Sequence, residues 1–193
     1  MKIRLVNVMA YLRHLDPHDQ TMVLEWRNSA AVAPYMLRDT LISQEEHHRW
    51  FGHVLHDTDV AVFRIMEHEG VSCGLASLTH IDTEGRSAEW GGYLAPEVPR
   101  GLGLGKALMY LSVLFAFIEL ELNQILVEVI VGNDAAIGLY ESIGFVRGET
   151  IFNRAEHKNG PVDVIAMSLT RDDWNARRDE VKKSLVTNNL IIE

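Results

Sequence analysis

The 193 residues predict one mixed α/β domain, and three observations predict it. Helical periodicity and strand alternation succeed one another along the chain, no linker or internal repeat divides it, and 47% hydrophobic against 23% charged residues is a core-forming composition. A chain of this length buries about 70% of the surface that its unfolded form exposes, enough for a core without disulfides. Residues 1–170 carry the domain pattern, and 171–193 read as a C-terminal surface helix and tail of the same domain, with its last residues loosely held.

Residues 2–8 alternate apolar and polar side chains and suit a first strand. Asp16-Pro17 then offers a helix N-cap followed by proline at the first helical position, and a helix is expected to about Arg27. Ser43-Gln44-Glu45-Glu46 has the form of a capping box, in which Ser43 accepts from the Glu46 amide while the Glu46 carboxylate reaches back. The helix it opens places His47, Trp50, Phe51 and Val54 on one apolar face. From Asp59 the period shortens. Residues 60–66, 72–81 and 87–94 are strand-like and are separated by turns holding Glu69-Gly70 and Thr83-Glu84-Gly85, which predicts a three-strand meander. There follow a glycine-rich turn, a long apolar helix from about Gly105 to Glu121, a β-rich run at 124–131, and a short helix from Asn133 or Asp134 to Ser142, closed by Gly144. Residues 145–153 and 162–169 supply two more strands about a turn at 158–161, and a last helix at 173–185 carries Trp174 and Val181 among many charges. The sheet is therefore mixed.

Composition narrows the function. With 18 basic against 27 acidic residues and a net charge of −9, the surface that would neutralise a phosphate backbone is missing globally, so no nucleic-acid partner is expected. The charged N-terminus lacks a signal-peptide core, and the longest apolar stretch, 107–118, is too short to span a bilayer, so a cytoplasmic chain with no membrane partner is expected. The single cysteine, Cys73, sits among small and apolar neighbours and reads as a buried inert thiol. His47, His48, His53 and His56 crowd one helix, but no completing ligand pattern accompanies them, and no metal is expected.

The chemistry is concentrated after the meander. Glu89-Trp90-Gly91-Gly92-Tyr93-Leu94 ends a strand, and Arg100-Gly101-Leu102-Gly103-Leu104-Gly105-Lys106 turns into an apolar helix, so free amides and a positive helix end converge on a place fit for an anion. It is not a P-loop, because Lys106 is followed by Ala107, and a dinucleotide fingerprint would need glycine at Lys106. Arg100-x-x-Gly103-x-Gly105 instead resembles the pyrophosphate-binding signature of the GNAT family of acetyl-coenzyme A-dependent N-acetyltransferases. Asn133-Asp134-Ala135-Ala136-Ile137-Gly138-Leu139-Tyr140, followed by Gly144-Phe145, resembles the same family's second signature, with the intervening helix and strand in place.

That resemblance implies a mostly antiparallel sheet, flanked by helices, whose strands at 87–94 and 124–131 splay apart to admit the pantetheine arm. It implies cofactor contacts at Tyr93, Leu94, Arg100, Gly101, Leu102, Gly103, Leu104, Gly105, Lys106, Asn133 and Tyr140. Tyr140 matches the family tyrosine that protonates the departing thiolate, and Asn133 equally suits a helix N-cap. Glu89 is the candidate general base, with Glu128 and His80 as competitors. The family resemblance implies direct transfer to a small-molecule amine, without an acyl-enzyme.

For the acceptor, the stretches around Trp26-Arg27-Asn28, Tyr35-Met36-Leu37-Arg38-Asp39 and Trp50-Phe51 resemble the branch that acetylates the 4-amino group of nucleotide-linked aminodideoxy sugars, as in pseudaminic acid synthesis. Arg27, Tyr35, Arg38, Trp50 and His80 are accordingly the candidate acceptor contacts. Similar wording also occurs in enzymes that acetylate protein N-termini, and a non-catalytic acyl-coenzyme A sensor is a further alternative. A homodimer through sheet edges or the Trp174 tail is compatible with the sequence.

Overall fold

The protein is described from a computed structural model that covers residues 5–6, 10–55, 61–187 and 191–192. Its elements are β1 (Leu5–Val6), β2 (Ala10–His14), α1 (Gln20–Asn28), α2 (Gln44–Val54), β3 (Ala61–His68), β4 (Val71–Asp82), β5 (Ser87–Leu94), α3 (Leu104–Leu114), β6 (Gln124–Ile130), α4 (Asp134–Ile143), β7 (Val146–His157), β8 (Gly160–Thr170), α5 (Arg171–Thr187) and β9 (Ile191–Ile192). Seven strands form one sheet in the order β2-β3-β4-β5-β6-β8-β7, and β1 pairs separately with β9. Every strand pairing of the sheet is antiparallel except β5 with β6, which the α3 crossover joins in parallel. Among the described residues no helix is long and apolar enough to cross a membrane.

The β5–β6 ladder positions everything that follows. Ser87, Ala88 and Glu89 pair with Gln124, Ile125 and Leu126, and there the ladder stops although both strands continue. The two faces of β5 bury against different layers. Ala88 and Trp90 join the main core with Leu104, Leu108 and Tyr140, while Tyr93 packs on a second cluster of Val23, Trp26, Phe51 and Leu75. α5 adds Trp174, Val181 and Leu185 to the main core, so the expected surface helix has one deeply buried face.

Several expectations change. Strand β2 was not foreseen, because Arg13 interrupts its apolar pattern. Its guanidinium bonds both Asp19 oxygens and Glu67, which lets a charged residue sit in a half-buried strand. Of the strand expected at 2–8, only Leu5–Val6 is described, and it pairs with Ile191–Ile192 rather than joining the main sheet. Val60 and His56 lie outside the described residues. At α2 the Ser43 hydroxyl accepts from the Glu46 amide at 3.1 Å, but the Glu46 carboxylate faces Arg38 at 2.9 Å, so the box is half made. The apolar helix begins at Leu104, and its last turn, Phe115–Glu119, is wound as a π-helix.

Candidate active site

Where β5 and β6 part, the sheet opens into a cavity of about 880 Å³. From Trp90 to Leu94 β5 keeps its bonds to β4 on one edge and has no β6 partner on the other, which leaves strand edge facing the cavity. Glu89 and Leu94 are five residues apart, about 17 Å at strand rise, so an extended arm of that length could lie along β5.

The glycine-rich turn closes one end. Gly101 and Gly103 have φ of 86° and 78°, a left-handed backbone that side chains resist, and they turn the chain sharply into α3. Gly103 caps α3 without a side-chain hydrogen bond, so the first amides of the helix remain available at its positive end. Arg100 is exposed there, and Lys106, whose pKa burial pulls below the ordinary lysine value, completes the basic end. The opposite end is acidic: Glu89 from β5 and Glu128 from β6 line it.

All eleven expected cofactor contacts, from Tyr93 and Leu94 through 100–106 to Asn133 and Tyr140, line this one cavity, together with Glu89, Glu128 and Tyr35. The Asn133 side chain also accepts from the Ala136 amide at 3.3 Å, so it caps α4 in the same position. Tyr140 is 7% exposed, and burial pushes its phenol pKa well above the ordinary tyrosine value. Its ring meets Trp90 edge-on at 5.8 Å and Phe145 at 5.7 Å.

Four expected acceptor contacts are not cavity-lining. Arg27 is half-buried: one Nη donates to the Arg38 carbonyl, and the other is buried without an acceptor among the described residues, while Arg38 pairs with Glu46. Trp50 packs its ring against Phe63 at 5.2 Å and against His47 and Phe51, as a core anchor. His80 is exposed at a register shift in β4, with φ of 50°, and its Nδ1 lies 3.1 Å from the Glu89 carboxylate. It therefore touches the candidate base from outside the cavity. Tyr35, Met36 and Leu37 do line the cavity. They are held from β7, where His157 Nε2 donates to the Met36 carbonyl at 2.9 Å and the Glu156 amide to Leu37 at 3.0 Å.

Cys73 is buried away from the cavity lining, and burial with nearby Glu67 pushes its thiol pKa up to about 11, which makes it a poor nucleophile. Sequence reasoning missed Trp90 as a wall residue and missed Arg154, whose Nε stands 3.1 Å from Glu128. Strand alternation places Trp90 on the inner face; nothing local announces Arg154, because its partner is two strands away.

Comparison with known proteins agrees with this geometry. The Acetyltransferase (GNAT) domain family matches residues 10–146. Bacillus subtilis (strain 168) YdaF, named as a candidate ribosomal N-acetyltransferase, is 31% identical over 116 residues, which cover 58% of this chain and 60% of that protein's length. The spermidine N(1)-acetyltransferase of Vibrio cholerae is 28% identical over 141 residues, 73% of this chain and 81% of that protein. A crystal structure of spermidine N-acetyltransferase from Vibrio cholerae in complex with CoA and spermine superposes with a TM-score of 0.80 at 25% identity, covering 86% of this chain and 98% of that one. Campylobacter jejuni acetyltransferase PseH is 27% identical over 131 residues, 68% of this chain and 79% of that protein.

Proposed function

Since the chain belongs to the GNAT acetyltransferase family, whose acyl donor is acetyl-coenzyme A, we propose that it acetylates a primary amine of a small cationic acceptor, of the spermidine class. The observation that carries the acceptor reading is the polarity of the cavity. One carboxylate from each splayed strand, Glu89 and Glu128, lines the end away from the glycine turn, while Arg27 and Arg38, the arginines expected to hold a diphosphate, lie outside the cavity lining. An acidic mouth on a chain of net charge −9 draws ammonium groups and repels a nucleotide diphosphate. The spermidine acetyltransferase relatives point the same way.

The residues present fit coenzyme A. The uncapped α3 amides with Arg100 and Lys106 suit its pyrophosphate, and the free edge of β5 suits pantetheine amides. The Trp90 indole N–H is buried without an acceptor among the described residues, as expected of a wall built for a polar guest. The thioester supplies an activated acetyl carbon. Glu89, directly or through water, takes the proton that the attacking ammonium must lose, with His80 holding its carboxylate. Tyr140, kept protonated by burial, gives a proton to the sulfur as the C–S bond breaks and the C–N bond forms. The test is acetyl-coenzyme A-dependent thiol release across acceptors: spermidine and simpler amines, a UDP-linked aminodideoxyhexose, and peptides with free N-termini. Turnover confined to the sugar nucleotide or to peptides refutes the cationic-acceptor reading.

A further inference from the structure

One ion pair reaches the acceptor wall from outside it. Glu128 lies on β6 beyond the last β5 pairing and lines the cavity, its side chain 22% exposed. Arg154 stands two strands away on the edge strand β7, half-exposed, and its side chain crosses β8 to bring Nε to 3.1 Å from both Glu128 oxygens. The contact uses one N–H rather than a bidentate fork, and the buried Oε2 is left without a well-formed hydrogen bond among the described residues. Arg154 is carried there by a bulge. The register runs from Ile151↔Val164 to Ala155↔Val162, so three β7 residues oppose one of β8, with Asn153 at φ of 55° and its amide donating to Asp163 at 2.8 Å. The next residues of β7 are those that hold Met36 and Leu37 on the other side of the mouth.

We propose that Arg154 determines acceptor specificity by acting through Glu128: it holds and partly neutralises that carboxylate, and so limits how strongly the mouth attracts a second positive centre on the acceptor. The inference rests on the cationic-acceptor reading above. Without the guanidinium both Glu128 oxygens become free to accept from an ammonium, a charge-assisted hydrogen bond large enough to change affinity by about fivefold or more. Arg154 lies outside the cavity lining and pairs with Glu128 rather than with Glu89 or Tyr140, so the acetyl transfer step is unaffected.

The experiment is steady-state kinetics of Arg154→Ala and Arg154→Lys on acceptors carrying one to four amino groups, at fixed low salt, with Glu128→Gln and the double variant completing a cycle. Arg154→Ala is expected to lower KM for the tri- and tetra-amines about fivefold relative to the mono-amine, with kcat unchanged, and Arg154→Lys to restore the wild-type ratio. In the Glu128→Gln background the same change should have no effect on the KM ratio. A KM that moves equally across the series, or an effect that survives without the Glu128 charge, overturns the proposal. A wild-type protein that binds acetyl-coenzyme A but acetylates no amine removes the reading beneath it and the inference together.

Discussion

Replacing Tyr140 by phenylalanine removes one oxygen atom from a buried side chain and tests the proton-donor role directly. The ring would stay in place, because Trp90 at 5.8 Å and Phe145 at 5.7 Å grip the aromatic face and edge rather than the hydroxyl. The hydroxyl makes no side-chain hydrogen bond among the described residues, so its loss leaves no partner stranded, and the melting temperature should change by no more than about 2 °C. Positioned general acids contribute about 10²- to 10⁴-fold, or roughly 3–5 kcal/mol of barrier. Tyr140→Phe should therefore lose at least about 100-fold in kcat, while KM for acetyl-coenzyme A stays within about threefold. The assay is thiol release with saturating acceptor, beside a thermal melt of the same preparation. An unchanged kcat in a protein that melts like the wild type refutes the acid role and leaves the ring as packing.

Three further outcomes follow from the geometry. In Gly92→Ala the added Cβ would stand 2.7 Å from the Trp90 ring and 2.8 Å from the Leu75 carbonyl oxygen, so calorimetry should show a loss of about 1–3 kcal/mol, and a neutral change would mean that both the ring and the β4 backbone give way. Asp19 and Glu67 have pKa values below the ordinary carboxylate range. For Asp19, burial works the other way and is outweighed by Arg13 together with the Asp16 amide; for Glu67, the leading cause is the Tyr11 hydroxyl, with Arg13 adding to it. Their stabilisation is present above the unfolded carboxylate pKa of about 4 and is lost as pH falls through the lower folded values. Urea midpoints measured from pH 6 to pH 2 should drop steeply at the acid end in the wild type and less in Arg13→Met, itself about 2 kcal/mol less stable at pH 6; parallel curves would exclude the pairing as the cause. Arg38→Ala should leave kcat/KM within about twofold, since an exposed pair with Glu46 contributes little and Arg38 is off the cavity lining, and a large selective loss would restore a diphosphate site.

How much was legible in the sequence depended on whether the signal was local. The basic end of the cavity is written in contiguous residues, because left-handed glycines, a strand end and a helix start must be neighbours in the chain to make a place fit for an anion. Gly101, Gly103 and the uncapped α3 therefore stand where the pattern put them. Tyr140 and Asn133 came with the second local pattern, and both line the cavity. The other end is assembled from distant segments, a loop at 31–37, β6 and the end of β7, and its charges are settled by pairings that span the fold. The contacts of Arg27 with the Arg38 carbonyl and of Arg38 with Glu46 carry no periodic signature. Strand β2 was hidden for the same reason: the groups that neutralise Arg13 lie at Asp19 and at Glu67.

Under the proposed function, acetyl passes directly from coenzyme A to a cationic amine bound at the acidic end of the β5–β6 cleft. That transfer is tested most directly by measuring thiol release from acetyl-coenzyme A with spermidine, a UDP-linked aminodideoxyhexose and N-terminal peptides side by side. Turnover with spermidine is expected to far exceed that with the other two. Turnover with the sugar nucleotide or the peptides and none with spermidine would contradict it.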